Sequence, residues 1–216
     1  MTGIHRKVPR QARAQATVDA IVEAAFQILE AQGPRHLTTN RVAERAGVSV
    51  GTLYQYFSDK ASILAATGQR QAEQLRERIT SILLESPEVG SVRAIVQAVL
   101  YGVKGSPTTR IILLKALLNT RGEVVLSEQH NALLDAIGGR PEFRKVLSKE
   151  SAFVLTHAVL CLARAAGLEP ELELDPKLLE DELVLLMESY IEALVKRGES
   201  RAVEASGQQD GGESEG

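Results

Sequence analysis

Polar and aromatic side chains that can bond nucleic acid are concentrated in one short stretch of the chain. Thr52, Gln55 and Tyr56 can donate or accept hydrogen bonds, while Leu53 and Phe57, four residues apart, share one helical face. An amide can bond the edge of adenine at two points, and a hydroxyl group can bond a phosphate oxygen. The pattern predicts a helix that buries one edge and presents the other to the major groove of DNA.

Two short helices joined by a tight turn are predicted to position these side chains. Thr38 is a candidate N-cap of the first helix, whose apolar face is formed by Val42, Ala43 and Ala46. Gly47 can end this helix in a left-handed conformation, and Ser49 can cap a second helix over about residues 50–57. Two helices in this order are the layout of a helix-turn-helix DNA reader.

The charge of the chain is distributed unevenly. The 216 residues have a net charge of −3, yet residues 1–60 carry eight Lys and Arg against five Asp and Glu, a net charge of +3. The remainder carries 17 basic and 23 acidic residues, a net charge of −6. A basic N-terminal module joined to an acidic remainder is typical of a protein that binds nucleic-acid phosphates through its N-terminal module. An asymmetry of this size also arises by chance.

The whole chain reads as helical, because no credible alternating strand pattern occurs in it. Further helices are predicted over residues 13–32, 60–84, 89–104, 107–119, 123–137, 141–166 and 176–197. The fold class is therefore all-α. The predicted organisation is a flexible basic arm over 1–12, a helix-turn-helix DNA-binding domain over 13–59, a larger helical domain over 60–197 and a disordered acidic tail over 198–216.

The last two predicted helices are apolar over far more than one stripe, which is typical of helices shared between a core and a partner. We expect them to form a homodimer interface, and a monomer that buries both helices is the alternative. The candidate interface residues are Phe153, His157, Leu160, Leu183, Leu186, Met187, Tyr190 and Ile191.

The region from the first to the fourth helix closely resembles the tetracycline-repressor-like (TetR) family of bacterial transcriptional regulators. The matching positions run without gaps from Ile21 to Lys60. The matching residues are Ile21, Val22, Glu23, Ala24, Ala25, Gly33, Thr38, Val42, Ala43, Ala46, Gly47, Val48, Ser49, Gly51, Thr52, Leu53, Tyr54, Tyr56, Phe57 and Lys60. The chain departs from the family pattern at Gln55, where His is frequent, and at Ser62, where an acidic residue is frequent, so an incomplete capping box is expected there.

The resemblance implies a homodimeric regulator, most simply a repressor, that binds a palindromic operator in double-stranded DNA. A cytoplasmic location is expected because the N-terminus lacks a hydrophobic signal-peptide segment. The domain over residues 60–197 then carries the dimer interface and a site for a small-molecule effector that releases the DNA. The residues of the effector pocket are not readable from the sequence. The alternative is a small-molecule-binding protein of the same fold without DNA-binding activity.

Roles can be assigned to individual residues of the DNA-binding domain. Phosphate contacts are expected from Thr38, Tyr56 and Lys60. Base contacts are expected from Val50, Gly51, Thr52, Tyr54 and Gln55, with Gly51 allowing a close approach to the groove. The arm carries four basic residues, which are expected either to track phosphates or enter the minor groove, or to form a mobile basic tail with no defined contact: Arg6, Lys7, Arg10 and Arg13.

Enzyme, metal and membrane functions find little support in the sequence. The four histidines, His5, His36, His130 and His157, are scattered without metal-ligand spacing, so neither a metal nor another cofactor is expected. The single cysteine, Cys161, lies in an apolar run and is expected to be a buried structural thiol. No run of apolar residues approaches the length of a membrane span, so we expect no membrane association.

Overall fold

The computed structural model describes residues 10–85, 90–122, 124–138 and 147–207, and every regular element in these ranges is helical, which confirms the predicted fold class. A short 3-10 helix, Pro170–Leu172, separates the last two α-helices. The α-helices are α1 (Arg10–Gln32), α2 (Thr39–Ala46), α3 (Val50–Tyr54), α4 (Lys60–Glu85), α5 (Gly90–Tyr101), α6 (Pro107–Arg121), α7 (Val124–Gly138), α8 (Lys149–Leu168) and α9 (Pro176–Gly207).

The first compact unit combines the chain up to Glu73 with the segment Lys104–Glu123. Its apolar core contains buried residues of α1 to α4 together with Leu113 of α6. Helices α4 and α6 pack so closely that a Cβ atom at Gly68 would lie 2.7 Å from the carbonyl oxygen of Leu113. The helices that hold the predicted DNA-reading residues are therefore packed on a segment that follows them by more than forty positions in the sequence.

The second compact unit contains Gln74–Val103 and the chain from Val124 onward. Its core is formed by buried residues of three helices, with α5 contributing Val92 and Val96. The residues from α8 and α9 are Leu155, Val159, Leu183, Val184 and Met187. The two apolar C-terminal helices therefore bury one face each within the chain itself.

Two helices extend beyond their predicted ends. α1 begins at Arg10, inside the predicted arm, because residues such as Gln11, Ala12 and Ala14 have high helix propensity. α9 continues to Gly207 through a stretch rich in Glu, Arg and Ala, although the predicted disordered tail began at residue 198. The remaining residues of the predicted tail, 208–216, lie outside the described ranges.

α8 begins at Lys149, later than the predicted start at residue 141. The Ser148 hydroxyl accepts a hydrogen bond from the backbone N–H of Ser151 at 3.2 Å, which is an N-cap, and residues 141–146 lie outside the described ranges. Among the described helices, α8 is long and apolar enough to cross a membrane by length and composition. The sequence-based expectation that no such segment exists was wrong on that criterion, although core helices of soluble proteins also satisfy it.

Candidate nucleic-acid interface

The turn between α2 and α3 is built as the sequence predicted. The Thr38 hydroxyl accepts from the backbone N–H of Arg41 at 3.4 Å, and the Ser49 hydroxyl accepts from that of Thr52 at 3.0 Å. Gly47 ends α2 with φ of +70°, a conformation that costs glycine little. Both helix starts and the left-handed turn between them are therefore fixed by local hydrogen bonds.

The segment formed by α3 and the residues up to Phe57 has a buried inner side and an exposed outer side. Leu53 is fully buried and Phe57 is 8% exposed, and both belong to the core of the first unit. On the other side, Tyr54 and Tyr56 are 51% and 39% exposed. Both rings, with their hydroxyl groups, are therefore accessible from outside the domain.

α3 is shorter than predicted. It ends at Tyr54, and the next backbone N–H groups bond three residues back, Gln55 to Thr52 at 3.2 Å and Tyr56 to Leu53 at 3.0 Å. This tighter last turn lets Phe57 reach the core. Gln55 consequently lies just past the helix end, although its side chain is exposed as a base contact requires.

Two of the predicted base-facing residues also have partners within the domain. The hydroxyl of Tyr54 lies 3.1 Å from the hydroxyl of Thr39, which ties α3 to α2. The hydroxyl of Thr52, which is half-buried, lies 2.8 Å from that of Ser49. A hydroxyl group both donates and accepts, so each retains capacity for a further hydrogen bond.

Gly51 is exposed on α3 and has room for a larger side chain within the protein. Among the described residues, and apart from its chain neighbours and the backbone of its own helix, a Cβ at this position would meet only the Ser49 hydroxyl oxygen within 4 Å, at an ordinary distance of 3.8 Å. Its φ is not positive, so the backbone does not require glycine there. Nothing in the packing of the domain explains the missing side chain.

The three predicted phosphate contacts have different surroundings. Thr38 is exposed and its hydroxyl, an acceptor in the N-cap, can still donate. Tyr56 is exposed as well. The ammonium of Lys60, however, donates to the backbone carbonyl of Pro34 at 2.5 Å, a contact between the start of α4 and the α1–α2 loop that the sequence did not indicate.

The start of α4 has a complete reciprocal cap, so the expectation of an incomplete capping box was wrong. The Asp59 carboxylate accepts from the backbone N–H of Ser62 at 2.7 Å, and the Ser62 hydroxyl accepts from that of Asp59 at 3.2 Å. Serine is long enough to reach the cap residue in the way that Glu usually does. The hydrogen bond from the Ser62 backbone is the main cause that lowers the pKa of the Asp59 carboxyl.

The predicted arm is described only in part. Arg6 and Lys7 lie outside the described residues, and the side chain of Arg10 is likewise not described. Arg13 is exposed in the first turns of α1.

The predicted dimer residues divide into buried and exposed groups. Leu183 and Met187 are only 2% and 8% exposed and belong to the core of the second unit, so they present little surface to a partner. Tyr190 and Ile191 pack against that core and are partly exposed. Phe153 and Leu186 are 51% and 47% exposed, whereas Leu160 and His157 are half-buried. Additional exposed apolar side chains on α8 and α9 are Val154, Leu162, Leu178, Leu185 and Val195.

Two of the histidines that look scattered in the sequence meet between α7 and α8. The rings of His130 and His157 lie 5.7 Å apart, and His157 stacks on Phe153 at 3.9 Å. Burial, followed by the charge of His157, lowers the pKa of His130. The two histidines are 27 positions apart in the sequence, so no helical periodicity linked them.

Cys161 is half-buried rather than buried. Within the described residues, no cluster of three potential ligands could hold a metal ion.

Comparison with known sequences finds a family match over the reading domain. Residues 21–67 match the family described as "Bacterial regulatory proteins, tetR family". The chain is also similar to the HTH-type transcriptional regulator BetI of Escherichia coli, with 34% identity over 90 residues. That similarity covers 42% of this chain and 44% of BetI, so it spans less than half of either protein.

Comparison with solved structures extends the similarity of fold to most of the chain. A TetR-family regulator from Pectobacterium atrosepticum superposes with a TM-score of 0.65 at 16% identity, covering 85% of this chain and 96% of the other. One from Streptomyces coelicolor superposes with a TM-score of 0.61 at 23% identity, covering 84% and 98%. At these identities the likeness shows the fold.

Proposed function

Because the N-terminal domain of this chain is that of tetR-family bacterial transcriptional regulators, we propose that the protein is a cytoplasmic repressor that binds a palindromic operator as a homodimer. The observation that carries the proposal is α3, a capped helix with a buried inner edge and an exposed outer edge of aromatic and polar groups. The major groove of B-DNA admits one such helix. Two copies related by a two-fold axis would contact half-sites about one helical turn, or a multiple, apart.

We assign the residues around α3 to two kinds of contact. The exposed residues Val50, Gly51, Tyr54 and Gln55, with the half-buried Thr52, face the bases. Thr38 and Tyr56 contact phosphates, and Thr38 does so at a helix start, where free backbone N–H groups and the helix dipole favour an anion. Lys60, at the start of α4, donates to the Pro34 carbonyl and so supports DNA binding by holding the loop between α1 and α2.

Dimerisation through α8 and α9 follows from the apolar side chains that these helices leave exposed. Phe153, Leu185 and Leu186 are each about half exposed or more, although one face of each helix is already buried in the core. Removing such side chains from water contributes about 25 cal/mol for every Å² of apolar surface. A second copy of the chain is the partner that the family resemblance implies.

A small-molecule effector would bind the second compact unit. An open groove of about 520 Å³ lies between the C-terminal half of α4 and α7. Its size is that of a ligand-binding cleft. The lining residues are Arg76, Glu77, Thr80, Ser81, Leu84, Glu85, Ala132 and Asp135.

The experiment that tests the proposed function is selection of random-sequence duplex DNA on the purified protein, with binding measured at two salt concentrations. We expect recovery of an inverted repeat, and affinity that falls steeply with salt. If no sequence is enriched and binding does not depend on salt, the protein does not read DNA unaided. The alternative of a small-molecule-binding protein of this fold would then be preferred.

The recovered operator then allows base and phosphate contacts to be separated. Gln55→Ala should relax the preference at one base pair, because its amide reads a base edge. Tyr56→Phe should weaken binding about equally on all sequences, because a phosphate carries no sequence information. A uniform loss for Gln55→Ala would show that its role is not recognition of a base.

A further inference from the structure

The loop between α1 and α2 carries an arginine that has no partner among the described residues. Arg35 is exposed, and it forms no hydrogen bond or ion pair with any described residue. It lies three positions before Thr38, the N-cap of α2. By contrast, the two other arginines close to this loop and on α2 are engaged: Arg45 donates to Gln27 at 2.8 Å and Arg41 donates to Gln32 at 2.5 Å.

Hydrogen bonds from cations fix the loop on both sides of Arg35. The ammonium of Lys60 donates to the carbonyl of Pro34 at 2.5 Å, and the guanidinium of Arg41 donates to the carbonyl of His36 at 3.3 Å. The carbonyls that precede and follow Arg35 are therefore both held by side chains from neighbouring helices. Charge-assisted hydrogen bonds of this kind are stronger than neutral ones, so they restrict the loop more than ordinary contacts would.

We infer that Arg35 is a further phosphate-binding residue of the DNA interface and that Lys60 acts mainly as a positioning residue, by holding the loop that presents Arg35. The inference rests on the proposed function. A guanidinium can bond two phosphate oxygens at once, which suits a residue whose five N–H donors find no acceptor in the part of the chain that the structure describes. The chain around Arg35 is already ordered, so little backbone freedom is lost when a phosphate binds.

The test is the salt dependence of DNA binding. The probe is a fluorescently labelled duplex that carries the inverted repeat recovered by selection, or a mixed-sequence duplex if no repeat is recovered. Each phosphate contact contributes about 0.9 to the slope of log affinity against log salt concentration. Arg35→Gln in a dimer should therefore reduce this slope by about 1.8, since two contacts are lost.

The matched control is Arg78→Gln, an identical change at an exposed arginine in the second unit. It should leave the slope unchanged. Equal slopes for Arg35→Gln and the wild type would overturn the inference while leaving the proposed function intact, and so would an equal reduction by Arg78→Gln, which would reflect net charge alone. If the wild type binds neither duplex, both the proposed function and the inference fail.

The role of Lys60 is tested by combining variants. Lys60→Met removes the ammonium but keeps most of the aliphatic stem, and thermal unfolding checks that the domain stays folded. If Lys60 acts through Arg35, adding Lys60→Met to Arg35→Gln should change the slope no further. A further reduction of about 1.8 would show that Lys60 binds phosphate directly, and would overturn its assignment as a positioning residue.

Discussion

At the scale of single residues, Gly51 is informative because its side chain is missing without an internal reason. Its φ is not positive, and a Cβ would meet only the Ser49 hydroxyl oxygen, at 3.8 Å. Glycine in a helix is also less stable than alanine by about 0.5–1 kcal/mol. The stability of the folded chain therefore favours alanine, and glycine is better explained by something that approaches α3 from outside.

Gly51→Ala should consequently separate stability from DNA binding. We expect the free energy of unfolding to stay equal or rise by up to about 1 kcal/mol, since the helix propensity improves. DNA affinity should fall by a factor of about ten or more, because the added methyl group holds α3 away from the bases.

Urea unfolding and fluorescence anisotropy with the selected operator measure the two effects. The control is Gly167→Ala on α8, where a Cβ meets nothing within 4 Å, and which should leave DNA affinity unchanged. Unchanged operator affinity for Gly51→Ala would show that α3 does not approach DNA at this position.

What the sequence predicted at this scale depended on the range of each interaction. The caps at Thr38, Ser49 and Asp59 join residues three apart, so their pattern was readable. The bond from Lys60 to the Pro34 carbonyl spans 26 positions and requires the packed fold. The prediction at Ser62 was wrong because it relied on the residue type that is frequent in the family. It did not consider that the serine hydroxyl can itself reach the backbone N–H of Asp59.

At the scale of elements, α5 and α9 are joined by a carboxylate with several donors. Glu180 of α9 is 9% exposed, and its Oε1 accepts from Gln97 Nε2 and from Arg93 Nη1, each at 2.9 Å. Arg93 also contacts Asp181 at 2.8 Å. A buried carboxylate that lost these donors would be left without compensation, so the network favours this pairing of the two helices.

Removing the charge of Glu180 should alter how stability depends on pH. The hydrogen bond from Gln97, followed by that from Arg93, lowers the pKa of Glu180 below its ordinary value of 4.5. Its contribution is then fully present above about pH 5 and is lost as the pH falls through the lower folded-state pKa. Glu180→Gln should therefore be less stable than the wild type at pH 7, and its stability should fall less between about pH 5 and pH 3.

Urea unfolding at a series of pH values checks this expectation. Glu182→Gln, on the exposed side of α9, serves as the control and should follow the wild-type curve. If the curves of Glu180→Gln and the wild type remain parallel from pH 7 to pH 3, the carboxylate does not stabilise the pairing of α5 with α9 through its charge.

At the scale of the whole molecule, the apolar C-terminal helices serve two purposes that the sequence could not separate. The sequence pattern indicated that these helices have more apolar residues than a single buried face needs. It did not indicate which of these residues are buried within the chain and which are left exposed. Packing against α5 buries Leu183 and Met187 and leaves Phe153 and Leu186 exposed. The excess of apolar residues could be predicted from the sequence, whereas the division into buried and exposed residues required the structure.

Lysine at the exposed apolar positions should dissociate the proposed dimer. Phe153→Lys and Leu186→Lys place a charge in the expected interface at side chains that lie outside the buried core cluster of the second unit. We therefore expect monomers and weaker binding to the operator. Sedimentation velocity and anisotropy measure the two effects.

The matched control is Leu172→Lys, in the 3-10 helix, because Leu172 is 53% exposed but lies outside both helices. It should remain as dimeric as the wild type. Dimers of unchanged stability in both helix variants would place the interface elsewhere on the chain.

The first compact unit is discontinuous along the chain, because α6 joins it from Lys104–Glu123 while the intervening residues belong to the other unit. A single crossover between the genes of two related proteins, falling in α4 after Gly68, would transfer the DNA-reading helices without the segment that supplies Leu113 to their core. The transferred helices would then have to pack on the α6 of the other protein, at the position where Gly68 makes its close contact. The DNA-reading helices, which select the operator, and α6 are therefore expected to be inherited together. A chimera that exchanges the DNA-reading helices should exchange α6 as well.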